Sequence, residues 1–311
     1  MACEGGRMAT PPVSIIVPTR NRARLLQGCV ERLLAQENAP PYEVIVVDNG
    51  STDATPELLE RLSAASERLR VVREERPGIS HARNAGVARA QGELVFFTDD
   101  DVLVPNRWVA TGVRLFRDES CDALGGPVLP VLEGGAALPA WFGERLYPCL
   151  ALRPPIGGQC WLTPDDWMPY GASMAFRRDV IEHAGGFDPA LGRRGDFLGI
   201  GEESVLFKRV LDDGGRVLFS DEFAVEHRIG PDRLRKAYFR KWTRDAATQR
   251  ASAGMDKGKV AVGPWMVRRA GERFLRSISL RVKGRERESF EAELEAWEVV
   301  GLLRGWAKGR A

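Results

Sequence analysis

The sequence is poor in the residues that build covalent or metal-bound frameworks. It contains five cysteines without any Cys-x-x-Cys spacing and only three histidines in 311 residues. This pattern argues against a disulfide framework or a zinc site and favours reduced thiols in a cytoplasmic protein. Long apolar runs are also missing, since none approaches the ~18–20 residues that a membrane-spanning helix requires. No apolar stretch precedes Pro11, so residues 1–12 are expected to form a disordered leader and not a signal peptide.

Glycine-rich phosphate loops are absent from the places where nucleotide enzymes carry them. The segment PTRN at residues 18–21 follows the first predicted strand and has no glycine, and neither a Walker sequence nor Gly-x-Gly-x-x-Gly occurs. These absences count against an ATPase, a dinucleotide oxidoreductase and a nucleotidyltransferase. The composition, 44% apolar and 28% charged, is that of a globular protein.

The net charge of +2 conceals a basic C-terminal region. Residues 228–311 contain 21 Lys and Arg against 10 Asp and Glu. Within residues 263–280, Phe274, Leu275 and Ile278 follow helical spacing, and arginines group on another side of the helix: Arg269, Arg273 and Arg276. Such a helix is typical of a membrane-surface contact with anionic lipid, and the alternative is packing against the rest of the chain. No zinc finger or helix-turn-helix pattern indicates a nucleic-acid partner.

Strands and helices are predicted to alternate over the first hundred residues. Continuous apolar runs indicate buried strands at residues 13–17, 42–47, 69–73 and 93–98, and helical spacing indicates helices at residues 24–36, 51–66 and 79–90. This alternation predicts an α/β fold with parallel strands and helices on both faces of the sheet. Later strands are predicted at residues 170–177 and 216–225, and a helix at residues 201–213. Ligands are expected beyond the carboxyl ends of the strands.

Three consecutive aspartates follow the fourth predicted strand. The carboxylates of Asp99, Asp100 and Asp101 would repel one another at a strand end, and a divalent cation would remove that repulsion. Carboxylate oxygens suit magnesium or manganese, and magnesium is usually shared with substrate phosphates. Strand alternation would turn Asp99 and Asp101 to one side and Asp100 to the other. The alternative is a solvated acidic turn.

Four segments in order resemble family 2 glycosyltransferases. They are VSIIVPTRN at residues 13–21, VVDNGSTD at 46–53, ARNAG at 82–86 and FFTDDD at 96–101. The resemblance covers residues 13–227 and implies a GT-A fold, a mixed but mainly parallel sheet flanked by helices, with a donor half (13–122) and an acceptor half (123–227). Residues 228–311 would be a helical C-terminal extension. It also implies inverting transfer from a nucleotide-activated sugar, most often a UDP-sugar, with a divalent cation, manganese or magnesium.

The resemblance assigns roles on the donor side. The nucleotide would be bound by Pro18, Thr19, Arg20, Asp48, Arg83, Asp99 and Asp100. Asp99 and Asp101 would hold the metal, and His227 would complete its ligands. The alternatives are a turn residue for Asp48, a surface ion pair for Arg83 and a structural histidine for His227.

On the acceptor side, Gly201-Glu202-Glu203 resembles the family's Gly-Glu-Asp segment, whose last acid serves as the base. This assigns the base to Glu203, with Glu202 as its competitor because glutamate replaces aspartate here. The N-terminus of the predicted helix is expected to keep either carboxylate ionised, and complementing the helix dipole is the structural alternative. The acceptor would contact Gly186, Phe187 and Asp188 and stack on Trp161 and Tyr170, although a plain turn and core packing are the alternatives.

The function expected from the resemblance is transfer of a sugar to a glycan, a lipid-linked molecule or a small hydroxyl compound. The partners would be the nucleotide-sugar and its acceptor, in the cytoplasm or on the cytoplasmic face of the membrane. A catalytically weak nucleotide-sugar-binding module is the competing interpretation, which the retained aspartates and glutamates disfavour.

Overall fold

The computed structural model describes residues 12–254 and 264–308. The strands are β1 (Val13–Thr19), β2 (Tyr42–Asp48), β3 (Leu69–Arg73), β4 (Leu94–Phe97), β5 (Val102–Leu103), β6 (Ala123–Gly125), β7 (Val128–Leu132), β8 (Gln159–Trp161), β9 (Met174–Arg177), β10 (Val217–Ser220) and β11 (Val225–Ile229). The α-helices are α1 (Ala23–Leu34), α2 (Thr55–Ala64), α3 (Ile79–Val87), α4 (Trp108–Glu119), α5 (Arg178–His183), α6 (Glu202–Asp212), α7 (Lys236–Ser252), α8 (Pro264–Val282) and α9 (Glu286–Lys308).

The main sheet has eight strands in the order β3-β2-β1-β4-β9-β6-β10-β8. Strands β3, β2, β1 and β4 are parallel, β9 is antiparallel to both of its neighbours, and β8 is antiparallel to β10. All seven residues of β1 and of β2 are buried, which explains why their sequences are continuously apolar and not alternating. Two apolar clusters cover the two faces of the sheet, one with α1, α2 and α4 and the other with α3, α5 and α6. The predicted α/β fold with a mainly parallel sheet is confirmed.

The single strand predicted at residues 216–225 is wrong. The structure has two strands there, β10 in the main sheet and β11 in a second sheet of order β5-β11-β7. A 3₁₀ turn at Asp221–Phe223 separates them, and the fully buried Phe223 ring stacks on Trp108 at a centroid distance of 4.8 Å. Burying this ring bends the chain into the second sheet. His227 therefore lies in the middle of β11 and not at the end of a strand.

The strand predicted at residues 170–177 is shorter than expected. It covers only Met174–Arg177, because the Ser173 N–H donates to the Tyr170 carbonyl across a turn. This turn brings Tyr170 to the edge of the sheet where β1 and β4 end.

The C-terminal extension is helical, as predicted, and consists of α7, α8 and α9. An aromatic cluster joins Phe239 of α7 and Phe290 of α9 to Trp141, whose ring is 4.8 Å from that of Phe290. Helix α8 packs on α9 through Met266, Ser277 and Leu280, which are buried. Within the described ranges no helix combines the length and the apolar character needed to span a membrane. The division of the chain at residue 227 stays a prediction.

Candidate active site

A cavity of about 470 Å³ opens at the carboxyl ends of β1 and β4. It brings together eleven of the residues singled out in the sequence. They are Pro18, Thr19, Arg20, Arg83, Asp99, Asp100, Asp101, Tyr170, Glu202, Glu203 and His227. Both halves of the main sheet therefore contribute to one site, as expected for parallel strands with ligands beyond their carboxyl ends.

The three aspartates lie in a turn, because β4 ends at Phe97. Strand alternation does not apply there, so the expectation that Asp100 faces away from Asp99 and Asp101 is wrong: all three line the cavity. The hydroxyl of Thr19 donates to Asp100 Oδ2 at 2.8 Å. Burial, followed by the charge of Asp101, raises the pKa of Asp100 to about 7.

Asp101 is surrounded by basic side chains. Arg22 Nη1 and Arg233 Nη2 donate to its Oδ2 atom at 3.2 Å and 2.8 Å, and His227 Nε2 lies 3.3 Å from its Oδ1 atom. Burial raises the pKa of Asp101, but the positive charges around this carboxylate, Arg233 and Arg22 among them, have the larger opposing influence and hold that pKa well below its ordinary value. Asp101 is therefore an anion at neutral pH.

The Nε2 atom of His227 is the ring nitrogen that could bind a cation. The Nδ1 atom lies 2.9 Å from the carbonyl of Leu150, which only accepts, so Nδ1 carries a proton. Arg233 Nη1, which only donates, lies 2.8 Å from Nε2, so the lone pair of the ring is on Nε2, which faces Asp101. A histidine whose outer N–H is held by a backbone carbonyl is the usual arrangement of a metal-ligating imidazole. A carboxylate and an imidazole suit manganese or magnesium, so the residues fit such an ion. In the part of the chain that the structure describes, no three ligating groups converge, so phosphate oxygens and water would supply the remaining ligands.

Arg83 connects the aspartates to the glutamates at the start of α6. The guanidinium is almost completely buried, and it donates to Glu202 Oε1 at 2.8 Å and to Asp99 Oδ1 at 3.4 Å. The Phe187 ring lies 5.4 Å away, and Gly171 leaves the space that the guanidinium fills. The pair is buried, so removing one partner would leave an uncompensated charge.

Glu203 is the second carboxylate at the start of α6, and the ion pair of Arg83 is with Glu202 and not with Glu203. Helix α6 begins at Glu202, after Gly201 in a left-handed conformation (φ +96°). Burial, followed by the charge of Glu202, raises the pKa of Glu203 to about 8, and its Oε2 atom is buried without a hydrogen-bond partner in the described residues. The expectation that the helix N-terminus keeps both carboxylates ionised is therefore wrong for Glu203 at neutral pH, because burial outweighs the helix dipole.

Comparison with known proteins identifies the family. The model of glycosyl transferase family 2 matches residues 14–185, more than half of the chain. The chain belongs to this family. It is 28% identical over 276 residues to glycosyltransferase AglE of Haloferax volcanii, covering 87% of this chain and 79% of AglE. It is also 28% identical over 221 residues to the glucosyl-dolichyl phosphate glucuronosyltransferase of the same organism, covering 70% of this chain and 69% of the relative.

Solved structures show the same GT-A fold. The mannosyltransferase PcManGT of Pyrobaculum calidifontis, solved with GDP-Man and Mn²⁺, matches with a TM-score of 0.63 and 22% identity over 97% of this chain and 89% of its own. Residues 1–349 of Staphylococcus aureus TarS with UDP-GlcNAc match with a TM-score of 0.53 and 16% identity over 93% of this chain and 90% of that chain. The enzyme is thus a glycosyltransferase with a GT-A fold and a helical extension.

The extension of this glycosyltransferase holds the loop that precedes Glu202. Gln249 of α7 accepts from the N–H of Ile200 at 3.1 Å and donates to the carbonyl of Ala190 at 2.9 Å. Asp245 accepts from the N–H of Leu198 at 3.3 Å. A Cβ on Gly199 would lie 2.0 Å from the Gln249 amide oxygen, so the loop approaches α7 closely. The C-terminal region therefore positions the loop from which Glu202 and Glu203 enter the cavity.

Some predicted site residues lie outside the cavity. Asp48 is buried and accepts from the N–H of Ser51 at 2.9 Å, which matches its alternative as a turn residue. Gly186, Phe187 and Asp188, which were predicted to contact the acceptor, do not line this cavity. Phe187 is in the core, its backbone is bonded to the Asn84 amide, and Asp188 caps the following turn.

Trp161 is also away from the cavity, on the edge strand β8, where Arg216 lies over its ring. Trp167 is the tryptophan that lies beside Tyr170, with a ring-centroid distance of 5.6 Å. Both Trp167 and Trp242 line the cavity, and Trp242 comes from the C-terminal region.

Three arginines of the site were missed by the sequence analysis. Arg22, Arg193 and Arg233 all line the cavity, and two of them bind Asp101. Two weak signals in the sequence could have pointed to them. Arg22 is the last residue of the segment PTRNR that follows the first strand, and Arg193 belongs to an Arg-Arg pair between two glycines. Arginines of this kind are usually exposed, so only their neighbours in the fold distinguish them.

Proposed function

We propose that this glycosyltransferase moves a sugar, with inversion, from a nucleoside diphosphate sugar to a hydroxyl acceptor, and that it needs a divalent cation. The observation that carries the proposal is a single cavity lined by Asp101, His227 and Glu203, in which Arg83 bonds to both Asp99 and Glu202. Structural neighbours solved with GDP-Man or UDP-GlcNAc support a nucleotide-sugar donor. A UDP-sugar is the first donor to test.

The cation would be held by Asp101 and His227, whose facing atoms lie 3.3 Å apart, with phosphate oxygens and water as its remaining ligands. Asp99, which the sequence also assigns to the cation, is paired with Arg83 at 3.4 Å. When bound, it would neutralise charge on the departing diphosphate. The arginines of the site add positive charge at the same side of the cavity, and a water-excluded site makes such charges effective. PcManGT, whose structure contains Mn²⁺, supports this assignment.

Glu203 would act as the base. The acceptor oxygen forms a bond to the anomeric carbon as the bond from that carbon to the diphosphate oxygen breaks, and the hydroxyl proton passes to Glu203. Attack from the face opposite the leaving group inverts the anomeric centre. Glu202 is paired with Arg83 at 2.8 Å, so it is less available to take a proton. A base with a pKa near the working pH is favourable for proton transfer.

The test is transfer from a panel of UDP-, GDP- and dTDP-sugars with Mn²⁺ or Mg²⁺, with the product anomer determined by NMR. Asp101→Asn is expected to abolish transfer and metal-dependent nucleotide binding, whereas Asp118→Asn, an exposed control, is expected to leave both unchanged. Full transfer in excess EDTA would refute the metal requirement, and retention of the donor anomer would refute inversion.

We further propose a lipid-linked acceptor. The Haloferax relative named for glucosyl-dolichyl phosphate supports this class. In the structure, Trp167, Tyr170 and Trp242 give the cavity an aromatic wall on the acceptor side. Such faces suit sugar rings and apolar chains.

Helix α8 would hold the enzyme on an anionic membrane, where that acceptor resides. Five apolar side chains, 48% to 84% exposed, fall on one stripe of α8: Val267, Phe274, Leu275, Ile278 and Val282. The positions 7, 8, 11 and 15 residues after Val267 lie within about one third of the helix circumference. Arg268 and Arg281 border the stripe, and a different face of α8, with Met266, Ser277 and Leu280, is buried against α9. A basic, amphipathic face of this type binds anionic lipid headgroups.

Sedimentation with phosphatidylglycerol vesicles tests the membrane contact. The wild-type enzyme should sediment at low salt, and Leu275→Glu combined with Ile278→Glu should abolish sedimentation without lowering thermal stability. Val71→Glu, at an exposed apolar position on β3, is the control that should bind like the wild type. Equal sedimentation of the α8 variant would refute the proposal.

A further inference from the structure

Arg233 spans the two groups that face the proposed cation position. Its Nη1 atom lies 2.8 Å from His227 Nε2, and its Nη2 atom lies 2.8 Å from Asp101 Oδ2. The side chain is 13% exposed, so these bonds are largely shielded from bulk water. The guanidinium therefore bridges a carboxylate and an imidazole inside the site.

The hydrogen bonds of His227 show which of its ring nitrogens carries the proton. Since Nδ1 donates to Leu150 and a guanidinium can only donate, Nε2 must be an acceptor. Asp101 Oδ1 and His227 Nε2 are then two lone-pair atoms 3.3 Å apart with no proton between them. Two such atoms repel unless a positive charge lies beside both, and in this structure Arg233 supplies that charge.

We propose that Arg233 stands in for the divalent cation in the nucleotide-free enzyme and leaves His227 when the cation enters with the donor. This inference rests on the proposed function, since it assumes that Asp101 and His227 hold the cation. Arg22 stays on Asp101 Oδ2, so the aspartate keeps an arginine partner after Arg233 moves. The donor diphosphate gives the released guanidinium a new anionic partner.

The consequence is positive coupling between cation and nucleotide. Without nucleotide, the cation must displace Arg233 with nothing to receive the guanidinium, so it binds weakly. With nucleotide, both positive charges find anionic oxygens. By linkage, nucleotide must raise cation affinity by the same factor as the cation raises nucleotide affinity.

The experiment measures Mn²⁺ binding by electron paramagnetic resonance, with and without UDP or GDP, in wild type, Arg233→Met and Arg235→Met. Arg235, two residues after Arg233 in the chain, is the matched control. It is 72% exposed and pairs with the exposed Asp232. Without nucleotide, Arg233→Met should bind Mn²⁺ about tenfold more tightly than wild type. Adding nucleotide should raise the Mn²⁺ affinity of both proteins, but the factor of increase should be about tenfold smaller for Arg233→Met than for wild type. Arg235→Met should behave like wild type.

Melting temperatures in EDTA establish that each variant is folded. Arg233→Lys provides a second variant, since a lysine ammonium is a point charge that cannot span both atoms and should give an intermediate coupling. Nucleotide-free Mn²⁺ affinity in Arg233→Met equal to or below that of wild type overturns the inference alone, provided that wild type binds Mn²⁺ with nucleotide. Failure of wild type to bind Mn²⁺ even with UDP and GDP overturns the proposed cation itself.

Discussion

Replacing Glu203 by glutamine should stabilise the enzyme while removing its activity. The pKa of this carboxyl is raised from 4.5 to about 8, first by burial and then by Glu202. Between these pH values the folded state retains a proton that the unfolded state has released, so the contribution of Glu203 to the free energy of unfolding falls as pH rises. Glutamine has the same shape and no charge, and therefore removes this loss.

The expected gain in stability for Glu203→Gln follows from the size of the Glu203 pKa shift. Each pKa unit corresponds to ~1.4 kcal/mol, so a fully expressed shift of this size would cost ~5 kcal/mol above pH 8. Water in the cavity reaches part of the side chain and reduces the cost, so we expect a gain of ~2 kcal/mol for Glu203→Gln at pH 8.5. At pH 4 the two proteins should have nearly equal stability.

Glu202→Gln is the matched control, with the opposite sign. It removes the partner 2.8 Å from the buried Arg83 and leaves that guanidinium with Asp99 at 3.4 Å. Breaking a buried pair in this way costs ~3 kcal/mol. Adjacent glutamates, changed identically, should therefore move stability in opposite directions.

Urea unfolding in EDTA, followed by tryptophan fluorescence from pH 4 to 9, measures both effects. Transfer assays on the same samples should show that Glu203→Gln loses turnover with donor affinity near that of wild type, because the group acts in the transition state. Parallel stability curves for wild type and Glu203→Gln across this pH range would refute the conclusion that the fold holds Glu203 neutral.

Three other measurements have definite expected outcomes. The kcat/KM of the wild-type enzyme should rise with pH through about 8, since the base must be ionised, and a flat profile from pH 6 to 9 would contradict the assignment of Glu203. Gly171→Ala would place a Cβ 2.0 Å from Arg83 Nη2 and should lower the free energy of unfolding by ~1–3 kcal/mol in chemical denaturation. The control Gly271→Ala, in open space on α8, should raise it slightly, and equal stabilities of the two variants would contradict the close fit around Arg83. Gln249→Ala would leave the Ile200 N–H without its partner and should reduce kcat with a cost of ~1–2 kcal/mol in stability, and an unchanged kcat would argue against α7 positioning the loop.

The parts of the fold predicted correctly are those encoded locally. Strands β1 and β2 read as continuous apolar runs because both faces of the sheet are covered, and the turns that follow them carry polar residues. The prediction failed between residues 216 and 225, where an apolar run continues through Phe223. Nothing local marks the bend there, since it results from the packing of Phe223 on Trp108.

The residues of the candidate site also include some that the sequence alone could predict and others that it could not. Asp99 to Asp101 and Glu202 to Glu203 could be found in the sequence because each group directly follows a strand or begins a helix, and the polypeptide itself fixes those positions. The positions of Phe187 in the core and of Trp161 on an edge strand, both outside the cavity, could not be predicted, because an aromatic side chain has the same local pattern in a core, on an edge strand and beside a ligand.

The amino-acid sequence is enough to predict the α/β order of the first hundred residues, the family resemblance and the acidic groups at the ends of strands and helices. Which of these groups carry charge, and which residues they contact, depends on the tertiary structure. Burial of Glu203 raises its pKa, while Arg22 and Arg233, more than 200 residues apart in the chain, meet on Asp101. Propensity and periodicity depend on neighbours a few residues away, whereas the energy of a charge depends on all surrounding atoms, and the fold alone brings those together.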